Sequence, residues 1–156
     1  MDVIVQVDKL FEANINPAKN EDALSVTFSL FPPQVDGTVS VVVTDNKTVQ
    51  QLNRDYRGID TPTDVLSFDN IPDPDFPGEE ASQHLGDIII AFPVAEKQAA
   101  AGGHTVLEEV LLLAVHGTLH LLGFDHDTPA NKEKMWVAQN RVMAELNLVH
   151  IQPTED

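Results

Sequence analysis

Three histidines within eleven residues, in the segment HGTLHLLGFDH, have the spacing of a metal site. His116 and His120 are four residues apart, so on a helix both imidazoles leave the same side, one turn apart. Gly123 is expected to end that helix, and His126 follows where it can complete a third corner. Three protein nitrogens with an open fourth position are typical of a catalytic zinc site. The sequence therefore predicts one zinc ion per chain, bound by His116, His120 and His126.

The helix that carries the first two of these histidines is predicted to be buried, because apolar residues occur all round it. These apolar residues are Val106, Val110, Leu111, Leu112, Leu113, Val115, Leu119, Leu121 and Leu122. Histidines on such a helix need partners, since an unpaired buried polar group costs about 1–3 kcal/mol. A single buried histidine usually bonds to a carbonyl, but three at this spacing favour a metal. The other three histidines, His84, His104 and His150, are expected at the surface.

The same spacing, H-x-x-x-H-x-x-G-x-x-H, occurs in metzincin peptidases, which carry a glutamate directly after the first histidine. That glutamate is the general base for the attacking water. Here the position is Gly117, which can neither take nor give a proton. The ligand pattern is present without the peptidase base, which argues against peptide hydrolysis, although Asp125 or another acid could substitute.

Two further segments complete a recognisable pattern: NRDYRGIDTPTDVLSF at residues 53–68 and LGDIII at residues 85–90. Together with HGTLHLLGFDH they closely resemble the YbeY family of bacterial single-strand-specific endoribonucleases. The resemblance implies a role in ribosomal RNA maturation and ribosome quality control, with ribosomal RNA and ribosome or small-subunit assembly proteins as partners. It also implies a zincin-like mixed sheet of about four strands, with a metal held by His116, His120 and His126. The arginine that the family pattern associates with catalysis corresponds to Arg57.

The residues alone leave the role of Arg57 open. Zinc could polarise a phosphoryl oxygen or generate hydroxide from bound water, and Arg57 could hold the non-bridging oxygens in a bidentate fork. Alternatively, Arg57 is a cation at the C-terminal end of a helix, since Gly58 follows it.

Several other charged residues have equally open roles. Lys47 and Arg54 are expected on a solvated helix face. Asp87, Asp125 and Asp127 are each candidates for orienting a ligand imidazole, or for an ordinary turn or capping role.

Composition excludes several classes of protein. Nine Lys and Arg against 25 Asp and Glu give a net charge of −16, unlike a generic nucleic-acid or DNA binder. Nucleic-acid function must therefore depend on a local site. No stretch is long and apolar enough to predict a membrane span, and the N-terminus lacks the positive region of a signal peptide. With no cysteine, only His, Asp and Glu can bind a metal, and a cytoplasmic location is expected.

The hydrophobic pattern predicts one α+β domain over residues 1–156, with about four strands and about five helices. The strands are expected at residues 3–7, 38–43, 65–68 and 85–92. The helices are expected at residues 17–31, 46–58, 93–102, 105–122 and 128–146. In the second helix, capped by Asp45, an apolar stripe of Val49, Leu52 and Tyr56 is expected. An acidic loop at 69–84 and a frayed tail at 149–156 complete the prediction.

Three functions are compatible with the sequence. The first is a zinc-dependent endoribonuclease acting on ribosomal RNA. The second is a ribosome-assembly factor in which zinc is mainly a structural scaffold, against which the open coordination position argues. The third is a metallopeptidase with a displaced base, against which Gly117 argues.

Overall fold

Strands and helices are mixed along the chain in a computed structural model that describes residues 1–34, 36–69 and 84–151. The elements are β1 (Asp2–Val7), a 3-10 helix (Lys9–Asn14), α1 (Pro17–Leu30), β2 (Thr38–Thr44), α2 (Asn46–Arg57), β3 (Val65–Asp69), β4 (His84–Ala91), α3 (Phe92–Gly102), α4 (Val106–Leu121) and α5 (Pro129–Glu145). The predicted strands and helices are thus confirmed to within a few residues at each end. Of the predicted acidic loop at 69–84, residues 70–83 lie outside the described residues.

The four strands form one mixed sheet in the order β1-β2-β4-β3. β1, β2 and β4 are parallel, and β3 pairs antiparallel with β4, with Leu66 opposite Ile89. β3 therefore forms one edge of the sheet. The sheet and the helices on its faces confirm the predicted α+β fold class, whereas the extent of a single domain over residues 1–156 stays a prediction.

Two of the three hydrophobic clusters of the core lie on opposite sides of α4, and the third packs α2 on the other face of the sheet. One face of the sheet, including Val41 and Ile88, packs against α1 and the Val110 side of α4. The opposite side of α4, including Leu112, packs against α5 through Met135. α4 is thus enclosed between the sheet and α5, which explains why it is apolar all round. Within the described residues, no helix is long and apolar enough to cross a membrane.

Three local expectations are wrong. Tyr56 is 71% exposed instead of buried in the α2 stripe, because it lies at the last turn of the helix with its ring edge-on to Phe68. His104 is not a surface residue, since its side chain is 6% exposed and contacts buried Glu109. The tail is not frayed at Ile151, which is 2% exposed and packs in the cluster formed by α1, α4 and α5. Residues 152–156 lie outside the described residues.

Candidate metal centre

The C-terminal end of α4 positions the first two candidate ligands. The helix begins in a capping box, in which Thr105 and Glu108 satisfy each other's backbone N–H groups. It ends near Gly123, whose φ of 101° is open to glycine but strained for other residues. The Gly123 amide donates to the His120 carbonyl at 3.0 Å. This sharp reversal brings the following residues back towards the last turn of the helix.

The reversal brings His126 against His116 and His120. The ring centroids are 4.8 Å apart for His116 and His120, 5.0 Å for His120 and His126, and 5.8 Å for His116 and His126. One ring nitrogen from each residue lies within 4.8 Å of the other two. We call these three residues the histidine triad. They are half-buried and come together from two segments of the chain, as the spacing predicts.

Hydrogen bonding sets which nitrogen of His116 faces its neighbours. Nδ1 of His116 lies 2.9 Å from Oε1 of Gln139, a buried side chain on α5. Because an amide oxygen only accepts, Nδ1 is the donor in this contact, which leaves Nε2 as the ring nitrogen available to a metal. Burial, followed by the proximity of His116 and His126, lowers the pKa of His120 to about 4. His120 is therefore neutral at pH 7 and can act as a nitrogen donor.

The donor set fits a metal ion. Nε2 of His116 and Nε2 of His120 are 3.2 Å apart. Tetrahedral coordination at 2.0–2.1 Å places two ligand nitrogens about 3.3 Å apart, close to this separation. The hydrogen bond between Nδ1 of His116 and the side-chain oxygen of Gln139 is the kind of contact that orients a metal-bound histidine. The histidine triad could therefore bind a metal ion.

Arg57 lines the same cavity as the histidine triad. It is the last residue of α2, but its guanidinium does not stay at the end of that helix. Nη2 of Arg57 donates to the Ser67 carbonyl on edge strand β3 at 2.8 Å, and the guanidinium carbon lies 5.6 Å from the Phe68 ring centroid. The amide of Gly58 donates instead to the α2 carbonyls. The contacts of Arg57 therefore hold it against the rim of the cavity.

The cavity has a volume of about 680 Å³ and more acidic groups in its lining than the sequence suggested. Asp64, Asp69 and Asp125 line it together with Arg57 and the histidine triad. Asp64 is buried, and its carboxylate accepts hydrogen bonds from the Val65 amide and the Gln98 side chain. A cation at the histidine triad would therefore carry much of the positive charge that attracts a phosphate.

Gly117 is required by packing. A Cβ built at this position would lie 2.7 Å from Cγ2 of Ile88 and 3.0 Å from Oγ of Ser67. The residue faces strands β3 and β4 of the sheet, to which Ser67 and Ile88 belong. The missing side chain at the metzincin glutamate position therefore has a structural cause in this chain.

The three aspartates near the motifs have separate partners. Oδ1 of Asp87 lies 3.0 Å from Nε2 of His84, away from the histidine triad. Oδ1 of Asp125 accepts from the backbone amide of His126 at 2.7 Å, and Asp127 accepts from the Asn131 side chain. The contacts of Asp125 and Asp127 are local ones in the turn before α5, and neither residue caps that helix, whose N-cap is Thr128.

Sequence reasoning missed two residues of α5 beside the histidine triad. Gln139 contacts His116, and the Trp136 ring centroid lies 5.7 Å from that of His116 and 6.3 Å from that of His126. Gln139 could have been identified from the sequence as a candidate, because it is a polar residue beside Ala138 on the apolar face of α5. Its partner could not be identified without knowing how α4 and α5 pack.

Comparison with known proteins places the chain in a family. A sequence profile described as "Endoribonuclease YbeY" matches residues 5–147. A protein of that name from Brevibacillus brevis is 44% identical over 128 residues, covering 74% of this chain and 78% of the relative. One from Desulfitobacterium hafniense is 42% identical over 133 residues, covering 83% and 84%. One from Geobacillus kaustophilus is 45% identical over 114 residues, covering 70% and 73%.

The fold also has a solved relative. The solution structure of TM1509 from Thermotoga maritima aligns with a TM-score of 0.56, at 23% identity, over 93% of this chain and 91% of that protein. At this identity the likeness concerns the fold alone. The sequence matches, which span most of the chain and include the histidine triad and Arg57, show that it belongs to the endoribonuclease YbeY family.

Proposed function

We propose that this protein is a zinc-dependent endoribonuclease that hydrolyses single-stranded RNA in ribosomal RNA 3′-end maturation and ribosome quality control. The observation that carries the proposal is the convergence of the histidine triad and Arg57 on one cavity. The name that the sequence relatives share supports RNA as the substrate.

Zinc is the metal that best suits the histidine triad. Three imidazole nitrogens form a ligand set typical of catalytic zinc, and neutral imidazoles leave the charge of the ion uncancelled. When bound, zinc supplies Lewis-acid chemistry at a phosphoryl oxygen. Gln139 orients His116 for this role through the hydrogen bond to Nδ1.

Arg57 is proposed as the catalytic residue that holds the scissile phosphate. The Ser67 carbonyl uses only the Nη2 side of the guanidinium, which leaves other N–H groups for the non-bridging oxygens. The contact between the Arg57 guanidinium and the Phe68 ring orients the guanidinium plane before substrate binds. An electrostatic contact that is already positioned needs little reorganisation as charge develops in the transition state.

The acidity of the chain supports a single-stranded substrate held at few points. At a net charge of −16, a long duplex would be repelled along most of its length. A flexible single strand can place one phosphodiester at Arg57 and the histidine triad while its other phosphates avoid the acidic surface.

We also propose one domain over residues 1–156, acting in the cytoplasm with ribosomal RNA and with ribosome or small-subunit assembly proteins. Three neighbouring hydrophobic clusters support the single domain, since two of them share α4 and two of them share the sheet. The location and the protein partners follow from the proposed substrate.

The test is a preparation of known metal content assayed on single-stranded RNA, duplex RNA and casein in parallel. We expect cleavage of single-stranded RNA, much slower cleavage of duplex and no casein hydrolysis. His126→Ala should lose this cleavage, because it removes one member of the histidine triad. Its matched control is His150→Ala, since His150 is a surface histidine hydrogen-bonded to Glu108. RNA binding without cleavage at full zinc occupancy would favour the assembly-factor function, and casein hydrolysis would favour the peptidase.

A further inference from the structure

A second cavity lies beside the histidine triad, between the C-terminal end of α1 and α5. Its volume is about 540 Å³, within the range of small-molecule sites. Its apolar lining includes the rings of Phe31 and Phe124, which meet edge to face at 5.4 Å, and the exposed side chain of Val137. We call this cavity the α1/α5 groove. None of its lining residues belongs to the proposed catalytic machinery.

The α1/α5 groove neighbours the cavity of the histidine triad, and the two share Phe124 as a wall residue. A smaller cavity of about 290 Å³ lies between them, lined by Gly123, Phe124, Asp125 and Lys134. Gly123, Phe124 and Asp125 also line the histidine cavity, and Phe124 and Lys134 also line the α1/α5 groove. A chain bound at the histidine triad would therefore cross the Gly123 turn to reach the groove.

Two cations border the α1/α5 groove. Within the part of the chain that the structure describes, neither Lys134 nor Arg141 has a carboxylate oxygen within 4 Å. The guanidinium carbon of Arg141 lies 5.6 Å from the Phe31 ring centroid, stacked in a cation–π contact. α5 carries three Lys and Arg against two Glu, in a chain whose net charge is −16. The groove therefore has positive charge where most of the surface repels anions.

We propose that the α1/α5 groove binds a nucleotide of the single-stranded RNA substrate next to the cleavage site. The base enters the apolar floor formed by Phe31, Phe124 and Val137, and the adjoining phosphates contact Lys134 and Arg141. Aromatic surfaces combined with cations are the usual means of binding single-stranded nucleic acid without reading its sequence. The lining also contains one acidic residue, Glu133, whose charge opposes phosphates at that point of the groove.

This inference depends on the proposed function, which supplies the RNA strand in the neighbouring cavity. It adds a specificity determinant, because a base in a duplex is paired and stacked and cannot enter the groove. It also predicts that RNA too short to reach from the histidine triad into the groove is a poorer substrate.

The test measures KM and kcat of the zinc-loaded enzyme for single-stranded RNA of about twelve and about four nucleotides. The groove variant is Lys134→Glu/Arg141→Glu. Its control is Lys19→Glu/Lys97→Glu, which changes the net charge equally at two exposed positions outside the described cavities.

We expect the groove variant to raise KM for the longer RNA by about tenfold or more, with kcat within about twofold of wild type. The slope of log KM against log salt should fall by about 1.4, since each lost phosphate contact removes about 0.7. The control should change KM by less than about threefold, and the shorter RNA should not distinguish the two variants.

A second pair of variants tests the apolar floor. Val137 and Val149 are both 63% exposed, so Val137→Glu and Val149→Glu place the same charge at equally accessible positions. We expect only Val137→Glu to raise KM for the longer RNA. All four variants should retain the zinc content and melting temperature of wild type.

The outcomes separate this inference from the proposed function. Equal increases in KM for groove and control variants would overturn the groove as an RNA site, since a general charge effect would explain them. Unchanged KM in both groove variants would also overturn it and would leave the groove to another occupant, such as a protein segment. Failure of wild type to cleave either RNA would contradict the proposed function itself.

Discussion

The two ends of α4 use histidine in opposite ways. Just before its N-terminal end, His104 meets Glu109, with Nε2 2.6 Å from Oε1, and the Glu109 side chain is fully buried. At its C-terminal end, His116 and His120 meet His126 beside an open cavity. The first site is closed by the carboxyl group of Glu109, which is hydrogen-bonded to the histidine. The second gathers nitrogen donors whose lone pairs need a cation from outside. Burial of a histidine therefore does not by itself indicate a ligand, whereas the type and number of its partners do.

The largest effect that this comparison predicts concerns bound metal. His116→Ala, His120→Ala and His126→Ala should each remove the zinc, because two nitrogens hold the ion far more weakly than three. His104→Ala should retain about one zinc per chain, since its ring lies in the closed site. Metal analysis of the purified variants measures both. Full occupancy in any variant of the histidine triad would exclude that residue as a ligand.

A second prediction concerns stability at the closed end. Glu109→Ala should lower the free energy of unfolding by about 1–3 kcal/mol, because the His104 ring is left buried without its hydrogen-bond partner. Zinc content should not change, since Glu109 lies more than one helical turn from His116. Chemical denaturation, with metal analysis of the same preparation, measures both quantities. Zinc loss in this variant would mean that the two ends of α4 are coupled.

A third prediction concerns Arg57, which lines the cavity at the C-terminal end of α4. Arg57→Ala should lower RNA turnover by about a hundredfold, the scale of losing one preorganised electrostatic contact. Arg57→Lys should restore little of this activity, because a point charge cannot reproduce a planar fork. Zinc content and melting temperature should stay near wild type in both variants. If Arg57 acts only as a helix-end cation, turnover should instead stay normal and lysine should replace it well.

The smallest predicted effect is a pH dependence at the closed end. Burial raises the pKa of Glu109, and the hydrogen bond from His104 offsets this only in part. A carboxyl whose pKa is higher in the folded state stabilises the fold at low pH and loses that contribution as pH rises through the folded pKa. The unfolding free energy of wild type should therefore fall relative to Glu109→Gln as pH rises above the ordinary glutamate value of 4.5. A constant difference between the two proteins across this range would contradict the raised pKa.

Local pattern was sufficient to predict much of this molecule. Hydrophobic periodicity and the turn residues Gly58 and Gly123 located the elements, because both act over a few residues. The spacing of the histidine triad was sufficient for a similar reason, since one helical turn and one reversal bring its members together. The environment of His104 depends on how α3 and α4 meet, and the burial of Ile151 depends on the packing of α1 against α5. The contact between Gln139 and His116 joins residues 23 positions apart, which no local pattern encodes.

The most direct test of the account is removal and return of the metal. Chelator-treated wild type should lose cleavage of single-stranded RNA, and about one equivalent of zinc should restore it. His120→Ala should not recover under the same conditions, whereas His104→Ala should recover like wild type. Single-strand cleavage by metal-free wild type at its original rate would contradict the claim that the histidine triad works by holding zinc.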